Sequence, residues 1–132
     1  MKLPQIVMSV GLVLLVVLIF TSPRHRAPAY TAWNEVTVQG TVEDVQEFYC
    51  PINGNEGAHM LMKTESGSIQ VHLAPTRFLR DKNLSFSKGD VIQVVGSRII
   101  YQGRDALIAR TVIRGRQTMA FREQNGKPVW LE

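Results

Sequence analysis

Ala58-His59-Met60-Leu61-Met62-Lys63-Thr64-Glu65-Ser66-Gly67-Ser68-Ile69-Gln70-Val71-His72-Leu73 alternates side-chain character on both sides of a Glu-Ser-Gly centre. A period of two sends successive side chains to opposite faces of a strand, so Met60, Met62, Ile69, Val71 and Leu73 form one apolar face. Glu65-Ser66-Gly67 makes a natural tight turn, and two short strands, Ala58 to Thr64 and Ser68 to Leu73, pair as a hairpin. The other face then carries His59, Leu61, Lys63, Gln70 and His72. With the connection Thr64 to Gly67 the two histidines stand directly opposite each other, whereas a register differing by two residues leaves them diagonal.

Working outward, Glu35 to Val45 also alternates and reads as a first strand, with Gly40 marking a bend or bulge. Phe48 to Gly57, rich in Pro, Asn and Gly, reads as a loop between that strand and the hairpin. Downstream, Pro75 to Leu84 is the one convincing helix, because proline suits a first helical turn and Phe78 and Leu79 offer apolar contact. Lys88-Gly89-Asp90 turns the chain into a strand from Val91 to Ile100, and Gln102-Gly103 turns it back into Ala106 to Ile113. A last strand-like piece, Gln117 to Arg122, precedes an extended end at Val129-Trp130. The order predicts an all-β domain: a five-stranded Greek-key barrel of the oligonucleotide/oligosaccharide-binding (OB) type, with one short helix between strands three and four. A plain sandwich wants more strands.

From Ile6 to Phe20 the chain is apolar except for Ser9 and Gly11, with Lys2 before it and Arg24, His25 and Arg26 after it. As a helix, Leu3 to Ser22 would reach about 30 Å, the thickness of a bilayer's hydrocarbon core. The same stretch has the basic start and apolar middle of a secretory signal, but Ala27-Pro28-Ala29 is a poor cleavage site. The expected organisation is therefore a transmembrane anchor or signal segment over 1–23, a linker over 24–32 and the barrel with its C-terminal extension over 33–132. The barrel is expected on the periplasmic or exterior side of the cytoplasmic membrane, or secreted after cleavage.

Charge narrows the function. Of fifteen Lys and Arg residues, Lys2, Arg24 and Arg26 flank the apolar segment, leaving twelve against eleven acids in the rest. The domain's net charge of about one is no general nucleic-acid signature, although the arginines from Arg98 to Arg122 make a local excess. Cys50 is the only cysteine, which excludes an internal disulfide and any multi-cysteine metal site.

Gly40-Thr41-Val42, His59 with Lys63-Thr64, Val71-His72-Leu73, Lys88-Gly89-Asp90 and Arg122 through Trp130 together resemble small exported or membrane-anchored bacterial OB-fold proteins. That resemblance implies fold and export more than activity, and a nucleic-acid role taken from it would be an analogy. The plan is also similar to the haem chaperone of cytochrome c maturation, an anchored and exported OB barrel. That family carries its haem on a histidine in the C-terminal part of the domain, whereas no histidine follows His72 in this chain, so covalent haem is not expected.

OB domains bind on the outer face of strands two and three and the loops beside it. The candidate ligand-binding residues are accordingly His59, Lys63, Gln70 and His72, with Arg77 and the loop aromatics Phe48 and Tyr49. Paired imidazoles can share a metal or clasp an anion, but no third ligand has recognisable spacing, so neither metal nor cofactor is expected. Single-strand nucleic-acid binding needs rings stacked on bases, and no aromatic falls on the outer positions of strands two and three. There is no phosphate loop, nucleophile elbow or acid pair, since adjacent Glu43 and Asp44 point to opposite faces. The reading is a membrane-tethered binding or assembly module for a protein or small polar ligand. Nucleic acid and metal bound by the paired histidines are the alternatives, and no enzyme activity is expected.

Overall fold

The computed structural model describes residues 28–50, 52 and 55–131, apart from the side chains of Phe48, Cys50 and Asn55. The anchor or signal segment expected over 1–23 lies outside the described residues. Among those described, no helix is long and apolar enough to cross a membrane.

After a single 3-10 turn, Ala32–Asn34, come β1 (Glu35–Cys50), β2 (Asn55–Thr64), β3 (Gly67–Pro75), a helix α1 (Thr76–Asp81), β4 (Val91–Tyr101), β5 (Arg104–Arg114) and β6 (Gln117–Ala120). β1 serves two neighbours. Its first half, Glu35 to Thr41, pairs with β4, and its second half, Thr41 to Cys50, pairs with β2. The circle closes where β3 meets β5 in parallel over Gln70–Ala106, Val71–Leu107 and His72–Ile108. The result is a closed barrel in the order β1-β2-β3-β5-β4, the five-stranded Greek-key arrangement of an OB fold, with the helix between its third and fourth strands. Beyond the point where β3 leaves β5, β6 takes the vacated edge over Thr111 to Arg114 and adds a sixth strand to the expected five.

Several boundaries differ from the expectation for physical reasons. Phe48 to Cys50 are strand, not loop, because the β1–β2 ladder continues through Tyr49–Glu56 to Cys50–Asn55. The helix is shorter than Pro75 to Leu84. Asn83 adopts a left-handed φ of 55° and Leu84 N–H bonds back to the Leu79 carbonyl, which stops α1 in the manner of a C-terminal cap. The β1 bulge falls between Val42 and Asp44, not at Gly40, and Val42 there exchanges backbone bonds with Gly89 and Asp90. Gly40 answers a different need, since a Cβ on it would lie 2.4 Å from the Lys63 carbonyl oxygen where β1 changes partners. Gln102 and Gly103, both with positive φ, form the tight β4–β5 turn anticipated at that dipeptide.

The apolar face read from the hairpin lines the barrel. Met60, Met62, Val71 and Leu73 are buried there with Val42, Ile92, Val94, Leu107, Val112 and Phe121. A second, smaller cluster lies on the outside of the wall, where Ile99, Ala106 and Ile108 are covered by Tyr30, Ile52 and Tyr101. β5 is thus buried on both faces from Ala106 to Ala109.

Closure leaves no room at Gly96, where a Cβ would sit 2.4 Å from the Ile108 carbonyl oxygen on the neighbouring strand. Gly96→Ala is expected to cost about 3 kcal/mol in urea unfolding because backbone must move. Gly115→Ala, at φ 60° with open space around it, should cost only about 1 kcal/mol.

Candidate functional site

The hairpin register is the direct one, with His59 facing His72. Following the ladders sideways, Gln46, His59, His72, Ile108 and Ser97 form one row around the outer wall, one residue per strand. The next row holds Asp44, Leu61, Gln70, Ala106 and Ile99. His59, Gln70 and His72 therefore occupy the outer face as alternation requires.

They are not open on that face. His59 and His72 are only 1% and 0% exposed, because parallel closure brings the Ile108 side beside them and Tyr101 lies across both rings. The imidazole centroids stand 3.9 Å apart, and the Tyr101 ring lies 4.6 Å from His72 and 6.2 Å from His59, edge-on in each case. Gln70 Nε2 lies 3.3 Å from His59 Nδ1, to which its amide donates when the imidazole proton is on Nε2. Burial pushes the pKa of His59 from 6.5 down to about 4, and burial plus the neighbouring His59 pushes His72 down to about 3. Both rings are neutral at physiological pH. The open outer-face patch expected of the two histidines is corrected by this cover, which comes from Tyr101 and Ile108, 29 and 36 positions after His72.

The other candidate residues lie apart from this cluster. Lys63 is exposed at the far end of β2, opposite Ser68. Tyr49 is 70% exposed at the end of β1, and the Phe48 side chain lies outside the described set. Arg77 is exposed on α1, in a different hollow.

That hollow, of about 780 Å³, opens between α1 and the C-terminal residues 129–131, which form a strap across the barrel's end. Phe78 and Trp130, 5.7 Å apart, provide its aromatic wall, and Arg77, Arg80 and Lys82 bring positive charge against Glu56 and Asp81. Thr76 also lines it, and its buried hydroxyl has no hydrogen-bond partner among the described residues.

The strap is held by a clasp that sequence reading did not find. Arg122 donates to the Gly126 carbonyl at 2.9 Å, and its guanidinium stands over the rings of Tyr30 and Trp130, at 5.7 and 5.3 Å. Tyr30 donates to Glu35, which Arg110 grips with two bonds of 2.9 and 2.8 Å. Burial first, and then the Glu35 carboxylate, push the Tyr30 hydroxyl up to about 12. The Arg110 hydrogen bonds in turn hold Glu35 below the usual carboxylate range. Among the described residues no group of three or more His, Cys, Asp or Glu side chains is placed to hold a metal.

A family model for magnetosome proteins matches residues 34–119, from the 3-10 turn to β6. The chain belongs to the MamS/MamX magnetosome protein family. No curated protein matches it. Solved structures are similar to it in fold as well, among them these two. One is the crystal structure of the ZRD-deleted mutant of TiaS in complex with agmatine, at 17% identity and a TM-score of 0.48 over 79% of this chain. This chain spans 29% of that one. The other is the solution NMR structure of the second OB-fold domain of replication protein A from Methanococcus maripaludis, at 18% identity and a TM-score of 0.43, covering 63% of this chain and 85% of that one.

The histidine pair sets a pH dependence. Because folding lowers both pKa values, the unfolded chain binds more protons below pH 6.5, so stability is full above that value and is lost as pH falls toward 4 and 3. Each histidine contributes a slope of up to about 1.4 kcal/mol per pH unit. Urea midpoints should fall steeply between pH 6 and 5, above the range where Glu35 and Asp90 titrate, and His72→Gln should remove about half of that slope.

Proposed function

We propose that this family member is a binding or assembly module without catalytic chemistry, held at a membrane by its N-terminal apolar segment with the barrel outside the cytoplasm. Its ligand is an acidic segment of a partner protein, taken in the groove between α1 and the C-terminal strap. The carrying observation is that groove, where three cationic side chains, Arg77, Arg80 and Lys82, outnumber Glu56 and Asp81 beside an aromatic wall. Arg77, chosen from the sequence as a ligand contact, belongs to it.

Other features support the reading. The outer face of β2 and β3, the usual OB binding surface, is covered at its histidine end by Tyr101 and the outer cluster, which turns recognition toward the barrel's ends. The cover also argues against single-stranded nucleic acid, since no stacking platform is open beside the two histidines. Metal binding by His59 and His72 finds no third His, Cys, Asp or Glu grouped with them among the described residues. The family's magnetosome name fits a membrane-associated protein.

The groove can be read through Trp130. Trp33→Phe leaves Trp130 as the sole indole of the chain. Its emission should respond saturably to a glutamate-rich peptide of about ten residues, and Arg77→Glu with Arg80→Glu should weaken that response at least about tenfold, or about 1.4 kcal/mol. Absence of a peptide response, with tight single-stranded DNA binding that falls steeply with salt, would replace this reading with the nucleic-acid one.

A further inference from the structure

Trp33 is 97% exposed, an unusual state for the largest apolar side chain. It shares a shallow hollow of about 420 Å³ with Ile100, itself 61% exposed near the tip of the β4–β5 hairpin. Arg98 lines the same hollow, as do the acids Asp105 and Glu35, of which Glu35 is engaged by Arg110. An exposed indole with an aliphatic neighbour and an arginine at the margin is the composition of a surface that sits at lipid headgroups.

The path of the chain supplies the second argument. The segment leading into the barrel is pinned to this side, because Tyr30 bonds Glu35 and the Thr31 amide donates to Ser97 Oγ at 3.1 Å. Only residues 21–27 separate the apolar stretch ending at Phe20 from Pro28, where the description begins. Seven residues reach at most about 25 Å even when fully extended. A barrel tethered that closely presents to the bilayer the side on which the tether enters, and that side carries Trp33.

We infer that Trp33 and Ile100 dock the barrel on the bilayer that holds its own anchor, with Arg98 facing lipid phosphates. This rests on the tethered reading above, and the occupant is the lipid surface, not a second copy of the chain.

The full chain carrying Trp130→Phe is reconstituted in vesicles of phosphatidylethanolamine and phosphatidylglycerol whose acyl chains are brominated near the headgroup. Trp33, then the sole indole, should lose at least about half its emission, and bromine placed deep in the acyl chain should quench it less. Subtracting the emission of Trp33→Phe from that of the unaltered chain gives the same measurement without touching Trp130. Flotation of the vesicles at alkaline pH tests the tether separately. Protein that floats while Trp33 is unquenched overturns the docking and leaves the tether standing. Protein that fails to float overturns both. Trp33 shielded from acrylamide yet blind to brominated lipid would assign the surface to a protein contact and also overturn the inference. Ile100→Ser should reduce quenching at unchanged flotation.

Discussion

Three backbone pairs between β3 and β5 hold the architecture together. Until Gln70, Val71 and His72 meet Ala106, Leu107 and Ile108, the chain is an open curled sheet with two unsatisfied edges. Closing it removes those edges and commits β5 to both faces of the wall, with Leu107 and Ala109 inside and Ala106 and Ile108 outside. The strand that closes the barrel therefore needs cover on its outer side as well, and Tyr30, Ile52 and Tyr101 supply it. Burial of the two histidines follows from that cover. They share rows with Ile108, and whatever seals the isoleucine seals the imidazoles.

A second constraint ties the chain's two described ends together. Arg110 reaches from β5 to Glu35 in a bidentate pair, a geometry stronger than an ordinary surface contact. Glu35 in turn receives Tyr30, and the Arg122 guanidinium packs over both the Tyr30 and the Trp130 rings. Gly126 completes the clasp by giving its carbonyl to Arg122 and leaving space for the Tyr30 ring, which a Cβ would approach to 2.7 Å. The entering segment and the C-terminal strap are thus parts of one packed unit. Residues 28–32, read from the sequence as linker, contribute through Tyr30 and Thr31 to its stability.

Local pattern made the barrel legible. Alternation placed Met60, Met62, Val71 and Leu73 inside, the turn residues located both hairpins, and the direct register between His59 and His72 was one of the two the turn allowed. What pattern could not carry was the state of the outer face, because period two says which way a side chain points and nothing about what lies over it. A signal was present in Ala106-Leu107-Ile108-Ala109, four apolar residues in succession where a half-exposed strand would alternate. Such a run announces burial on both faces, and the histidines' neighbours were to be sought there. The Arg122 clasp left no comparable trace, since its partners Tyr30, Gly126 and Trp130 are joined only by the folded chain.

The sealed wall also bears on where this barrel can meet other molecules. A face covered by Tyr101 and holding neutral imidazoles offers neither charge nor an open ring to a polymer passing along it. The groove beside α1 and the hollow beside Trp33 keep exposed apolar and cationic groups. Between these two surfaces run direct contacts, from Phe78 to Trp130, from Trp130 to Arg122 and from Arg122 to Tyr30, three residues before Trp33. Packing of that kind fixes the position of one surface relative to the other without implying that occupancy of one alters the other, which would need a second arrangement of the same contacts. On the proposed reading its consequence is geometric: a partner held against Trp130 is presented at a set orientation to the bilayer under Trp33, as an assembly module requires.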